Sequence, residues 1–161
     1  MPRKRRYWLF KSEPSCFSID DLEGRPDRTE PWDGVRNYQA RNLLRDEVAE
    51  GDGVLFYHSN IPRPCVVGIA EVVGGAYPDR TALDPRSKHF DPRCAPDNPI
   101  WYMVDVRFVR RFLREITLEE IRATPSLAGM ELLRRSRLSI QPVSDSEWET
   151  ILHLGGVDKG E

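Results

Sequence analysis

Trp101-Tyr-Met-Val-Asp-Val-Arg-Phe-Val-Arg-Arg-Phe112 is the stretch whose reading decides the fold class. Tyr102, Val104, Val106 and Phe108 alternate with Met103, Asp105 and Arg107, and a period of two is that of a strand with one face against a core. It is the longest strand-like run in the chain, so a sheet organises the rest. Upstream, residues 54–57 and 66–73 are β-branched or aromatic runs separated by the turn-forming residues 59–64, which predicts two neighbouring strands. Residues 7–11 predict a first strand with Trp8 and Phe10 on one side, broken at Glu13 and Pro14. Residues 138–141 predict a late one.

Helix signals fall between these strands. Ser18-Ile-Asp-Asp-Leu22 has a capping serine, an acid three residues later and Gly24 as a stop. Residues 38–48 carry Leu43, Leu44 and Val48 at helical spacing and end at Gly51. Thr117-Leu-Glu-Glu120 and Ser144-Asp-Ser-Glu147 both have the capping-box pattern, with an apolar run over residues 130–133 between them, so three short C-terminal helices are expected. Strands interrupted by short helices, without a βαβ rhythm, indicate an α+β domain built around a small barrel-like sheet. Residues 78–99, rich in Pro, Asp and Arg, form a long irregular excursion, and loops of that length in compact domains are often functional.

The length of 161 residues suits one domain, with 39% hydrophobic residues to build its core. We expect residues 7–155 to form it, with a loose basic start (1–6) and a flexible end (156–161). A net charge of −2 argues against a protein that holds nucleic acid mainly by phosphate neutralisation, so any such contact must be local. No apolar run approaches the roughly 20 residues that cross a bilayer, and residues 1–6 lack the apolar stretch of a signal peptide. This predicts no membrane partner, a monomer, and a cytoplasmic protein, or a nuclear one in a eukaryote. Cys16, Cys65 and Cys94 are an odd count without C-x-x-C spacing, so they read as reduced thiols.

Seven blocks, in order, carry a resemblance: Lys11-Ser-Glu-Pro14, Trp32-Asp-Gly-Val-Arg-Asn-Tyr-Gln-Ala-Arg-Asn42, Phe56-Tyr-His-Ser-Asn60, Val66-Val-Gly-Ile-Ala-Glu71, Tyr77-Pro-Asp79, Asp84-Pro85 and Leu138-Ser-Ile-Gln-Pro142. From about Tyr7 to Leu154 the chain resembles the EVE domain family. The resemblance implies a PUA-like fold, a small β-barrel flanked by short helices, related to domains that read methylated adenine in RNA, and the binding of a modified nucleobase in DNA or RNA, with modified cytosine in DNA a frequent suggestion. It places the cavity among Lys11, Ser12 and Glu13, then Trp32, Asp33, Val35, Arg36 and Asn37, then Tyr57, His58, Ser59 and Asn60, then Ser139, Gln141 and Pro142.

These residue types suit a base. A heterocycle lifted from its stack needs an apolar face, and stacking on an aromatic ring is worth about 1–3 kcal/mol. Tyr57 can supply one, but Trp32 is the better platform, because between Pro31 and Asp33-Gly34 in a polar loop it has no periodic apolar partners. Trp8, Trp101 and Trp148 lie in apolar periodic segments and read as core. Asn37, Asn60 and Gln141 can donate and accept at a base edge, although asparagines at such positions also cap turns. Ser12, Ser59 and Ser139 can complete a polar rim. Arg36, Lys11 and Arg41 are placed to hold phosphates, and residues 3–6, 107–114 and 134–137 offer a basic track or solvated faces.

The alternative is an enzyme acting on a modified nucleoside or nucleotide, with His58, Glu13 and Asp33 for acid/base work or Cys16 or Cys65 as nucleophile. No catalytic signature surrounds them, so the expected catalytic set is none. His89, Cys94 and nearby acids lack metal-ligand spacing, so neither metal nor cofactor is indicated. A third reading makes residues 78–99 a protein-interaction surface.

Overall fold

The computed structural model describes residues 4–157. β1 (Tyr7–Ser12), β2 (Thr29–Pro31), β3 (Gly53–His58), β4 (Cys65–Pro78), β5 (Tyr102–Thr117) and β6 (Ile140–Val143) form one sheet in the order β2-β5-β4-β3-β1-β6. Around it stand α1 (Ile19–Glu23), α2 (Tyr38–Asp46), α3 (Leu118–Ala123), α4 (Glu131–Arg134) and α5 (Asp145–Leu154). Every strand and helix expected above is present, and β3 and β4 are antiparallel neighbours. β2 was not foreseen: its three residues sit in a Pro- and Asp-rich segment and become a strand only by pairing with Asp105 to Arg107 of β5. The sheet is not closed. β2 and β6 are its edges, and Pro31 and Pro142, which lack an N–H, sit in those two strands, where a missing donor costs least. The expected barrel is replaced by this open, mixed sheet.

Bulges interrupt the register of the sheet. Between Ile69/Ala70 and Arg110/Phe108 the register of β4 and β5 slips by one residue. A slip of one residue turns the following side chains to the opposite face. Val104, Val106 and Phe108 therefore pack in one apolar cluster, while Phe112 and Ile116, of the same parity, pack in another. The first cluster joins Trp8, Phe10, Val54 and Phe56 to α1 and α2 through Ile19, Leu22, Ala40 and Leu44. The second joins Leu9, Leu55 and Tyr57 to α3, α4 and α5 through Ile121, Leu132, Trp148 and Ile151. Alternate residues of β1 and β3 divide between the clusters, so each face of the sheet has its own core.

The helices begin where their caps require. Ser18 accepts from Asp21 N–H while Asp21 accepts from Ser18 N–H, and Ser144 and Glu147 do the same for α5. Of the expected loose ends, residues 1–3 and 158–161 lie outside the described residues. Inside them, Arg6 N–H donates to Asp52, its guanidinium pairs with Glu47, and Val157 is buried in the second cluster. No helix among the described residues is long and apolar enough to cross a membrane.

Asp52 is fully buried and accepts from the Arg6 N–H, the Ala49 N–H and the indole N–H of Trp8, which is equally buried. It ties the start of β1 to the turn before β3. Asp52→Ala leaves three donors without this acceptor, and since a buried unsatisfied group costs about 1–3 kcal/mol, a loss of roughly 3 kcal/mol in urea-measured stability is expected. A loss below about 1 kcal/mol would show that water replaces the carboxylate.

Candidate functional site

β1 and β3 run parallel, in register from Tyr7↔Gly53 to Ser12↔His58, so both strands finish at one end of the sheet. Antiparallel β4 and β6 start at that end, with Cys65 opposite His58 and Ile140 opposite Phe10. The ladder runs past the strands: Ser59 N–H donates to Ser12 O and Lys11 N–H to Ser139 O, both at 2.9 Å. A cavity of about 940 Å³ opens over this end, within the size range of ligand pockets. Ser12, Ser59, Asn60 and Ser139 line it at the strand ends. Asn60 adopts the left-handed conformation (φ 59°) that asparagine tolerates better than most residues.

Four aromatic rings gather on the first-cluster side. The Trp32 N–H donates to Val104 O at 2.7 Å, extending the β2–β5 pairing by one residue. Its indole lies 5.3 Å from Phe10, 5.4 Å edge-on to Phe56 and 6.2 Å edge-on to Phe17. Such tilted contacts are the favoured arrangement of ring quadrupoles. Trp32 is only 7% exposed, and what remains faces the cavity. The freely exposed platform expected from the sequence is therefore a cavity wall backed by three rings. The polarity of the loop concealed this, because the packing partners come from β1, β3 and the turn before α1. Among the described residues the indole N–H has no hydrogen-bond partner, and it is not sealed from solvent.

A buried carboxylate holds this wall in place. Asp79, fully buried, accepts from Gly34 N–H (2.8 Å), Arg36 Nη1 (3.0 Å), Thr81 N–H (2.9 Å) and the Thr81 hydroxyl. Burial raises its pKa, but the bonds from Thr81, Gly34 and Arg36 outweigh that and hold it below the ordinary carboxylate value. Arg36 also donates to His89 O from Nε and Nη2. The excursion of residues 78–99 is thereby folded onto the loop that carries Trp32. Gly34 completes the fit: φ is +78°, and a Cβ there would lie 2.6 Å from the His89 ring.

Of the residues singled out by sequence, Lys11, Ser12, Glu13, Trp32, Asp33, Tyr57, Ser59, Asn60 and Ser139 line the cavity together. The others do not. Val35 is core. Arg36 is committed to Asp79 and His89, and Arg41 to Ile100 O, so neither guanidinium is free for a phosphate. Asn37 caps α2 by accepting from Ala40 N–H. His58 Nε2 accepts from Ile19 N–H at the start of α1, and burial lowers its pKa, so the ring is neutral and structural. Gln141 is buried, donates to Arg135 O and Leu138 O, and leaves its Oε1 unpartnered, while Pro142 pairs with Trp8 across β1 and β6.

Sequence reasoning missed Phe17, Arg25, Glu30, Arg122 and Leu132 as lining residues. The long excursion was the signal for His89 and Lys88, which also line the cavity. On the second-cluster face, burial pushes the Tyr57 phenol up to about 12, so it stays a neutral donor and acceptor. Burial lowers the Lys11 amine, whose Nζ donates to Ser136 O at 2.7 Å. Desolvation and the charge of Asp79 raise the Asp33 carboxyl. The Cys65 thiol, raised to about 12 by burial and Glu115, is a poor nucleophile. No group of three or more metal-ligating side chains occurs among the described residues.

A family model described as EVE domain matches residues 6–154. Thymocyte nuclear protein 1 of Mus musculus is 46% identical over 92% of this chain and 73% of its own length. A solved hypothetical protein from Leishmania major is 51% identical with a TM-score of 0.90, over 95% of this chain and 96% of that one. Human THYN1 protein, solved in complex with DNA containing 5-methylcytosine, is 42% identical with a TM-score of 0.89, over 93% of this chain and 97% of that one.

Two outcomes follow from the packing of Trp32 and Asp79. Trp32→Ala removes the centre of a ring cluster and should lower stability by about 3–5 kcal/mol in chemical denaturation, whereas Trp32→Phe should stay folded. An unchanged unfolding midpoint for Trp32→Ala would show that the ring packs on nothing that matters. Asp79 has a depressed pKa in the folded state, so its contribution is complete above the unfolded value near 4 and is lost as pH falls through the lower folded value. Asp79→Asn should therefore be less stable than wild type at pH 7 and lose less stability on acidification below pH ~4; parallel acid limbs in the two proteins would contradict this.

Proposed function

The chain belongs to the EVE domain family, and on that premise we propose that it is a nucleic-acid-binding module whose cavity takes in one modified nucleobase, modified cytosine in DNA foremost. The carrying observation is the Trp32 wall: an indole held by Phe10, Phe17 and Phe56, lining a cavity large enough for a flat heterocycle, with its N–H unpartnered among the described residues. The human relative solved with 5-methylcytosine-containing DNA supports the choice of base.

Taking a base out of a duplex costs a few kcal/mol, and a ring partner returns about 1–3 kcal/mol of that. Polar groups around the wall supply the rest. Glu13, Glu30 and Asp33 line the cavity on the side of Phe17 and Trp32, and carboxylates accept from the exocyclic amine of cytosine. Ser59, Asn60 and Ser139 can both donate and accept at the ring edge, while Ser12, whose hydroxyl donates to Phe17 O, can accept there. An oxo-bearing base would bring its acceptor against those carboxylates and be disfavoured.

We read the protein as a binder that returns its ligand unchanged, since His58 is occupied by Ile19 and Cys65 is held as a thiol. The test is fluorescence anisotropy with matched oligonucleotides carrying one 5-methylcytosine or one cytosine, followed by chromatography of the recovered strand. At least tenfold preference for the modified strand, about 1.4 kcal/mol, is expected, with unaltered DNA recovered. Asp33→Asn should weaken the modified complex by about tenfold or more, in line with the ~1–3 kcal/mol of one good base-edge contact. Equal affinity for the two strands would overturn the reader, and a chemically changed base would favour the enzyme.

A further inference from the structure

The cavity does not stop at the aromatic wall. It passes over the end of β1 and β3 to the second face of the sheet, where Tyr57, Leu118, Leu132 and Leu133 line it together with Arg122 of α3 and Arg137, which precedes β6. The two halves differ in charge. Glu13, Glu30 and Asp33 line the half that holds Trp32; of its cations, Arg25 is neutralised by Glu30 at 3.0 Å, and Lys88 beside His89 is the other. Among the described residues no carboxylate lines the half that holds Tyr57.

Three cations line that half: Lys11, whose Nζ donates to Ser136 O, and Arg122 and Arg137, which differ from the arginines around them. Arg114 pairs with Glu120, Arg134 and Arg135 pair with Glu131, and Arg111 pairs with Glu23. Much of the basic track suggested by residues 107–114 and 134–137 is therefore neutralised within the fold. Arg122 and Arg137 are exposed and make no hydrogen bond or ion pair among the described residues. In a chain of net charge −2, unneutralised guanidiniums beside a cavity are what a local anion requires.

We propose that Arg122 and Arg137 are the seat of the phosphodiester backbone on either side of the captured base, one phosphate each. The inference rests on the base-binding reading above. The strand lies across the Tyr57 half, and its base turns over the strand ends toward Trp32, so phosphate meets the cationic half and exocyclic amine the acidic half. Arginine suits this role because its planar fork matches phosphate oxygens and stays charged at any physiological pH.

The experiment measures how affinity for a single-stranded oligonucleotide carrying 5-methylcytosine depends on salt, in wild type, Arg122→Gln, Arg137→Gln and the double variant. Each phosphate contact contributes about 0.7 to the slope of log K against log salt for a single strand. Each single variant should lose about that much slope and the double variant about twice as much, while affinity for free 5-methyldeoxycytidine, which has no phosphate, stays unchanged. Arg45→Gln on α2, where Asp46 holds the guanidinium, is the control and should keep the wild-type slope. Slopes equal to wild type in all the cavity variants would overturn the proposal. Failure of the base reading shows differently, as equal wild-type affinity for methylated and plain strands, and the slopes still score the phosphate contacts in that case.

Discussion

The parallel pairing of β1 with β3 constrains everything around the cavity. Two parallel neighbours cannot be joined by a tight turn; the chain leaving Ser12 must travel the length of the sheet before it can enter Gly53. Here the crossing segment is residues 13–52, and it lies on the face that presents Trp8, Phe10, Val54 and Phe56. α1 and α2 bury their apolar sides there, and β2 reaches the far edge to pair with β5. Trp32, the residue after β2, is thereby delivered to the first core beside the strand ends. The same pairing brings Ser12 and His58 to one level and obliges β4 and β6 to begin there. A polar gap at the end of the sheet, flanked by a separate core on each face, is a result of strand direction.

What distinguishes the cavity chemically is which polar groups the fold has left uncommitted. Asn37, Arg36, His58 and most of Gln141 are used in holding helices and loops. Asn60, Ser59 and Glu13 have no side-chain hydrogen bond among the described residues, and neither does the Trp32 indole N–H. Residue type alone does not separate the two groups, since each contains an asparagine and a carboxylate is buried in one and free in the other. The difference lies in what the neighbouring groups need: an open helix N-terminus claims Asn37, and four donors from Gly34, Arg36 and Thr81 claim Asp79.

This is also the measure of how much was legible in the sequence. Alternation in residues 101–112 gave β5, and the Ser18 and Ser144 capping patterns gave two helix starts, because those signals are local and short-range chemistry enforces them. Trp8, Trp101 and Trp148 are buried as their apolar surroundings implied. Trp32 was identified as a cavity residue but misjudged as exposed, since its partners Phe10, Phe17 and Phe56 are distant in sequence. The bulge between β4 and β5 was invisible for a related reason. A one-residue slip alters no composition and no period, yet it decides that Phe112 serves a different core from Phe108. Arg122 and Arg137 resemble every other arginine in an arginine-rich chain until their neighbours are seen to be paired.

The Asp79 clasp has a kinetic and thermodynamic corollary for any ligand. Ordering a residue costs about 1–2 kcal/mol in backbone entropy, so an unrestrained excursion of residues 78–99 would impose a large penalty at the moment of complex formation. Because Asp79, Arg36 and Gly34 lock that segment to the Trp32 loop when the chain folds, the freedom is surrendered beforehand. A guest meets walls already set at their final spacing, and little of its contact energy is diverted into immobilising them. Discrimination then comes to rest on shape and hydrogen-bond complementarity within a rigid mould, and small substituents on the guest are felt at nearly their full energetic weight.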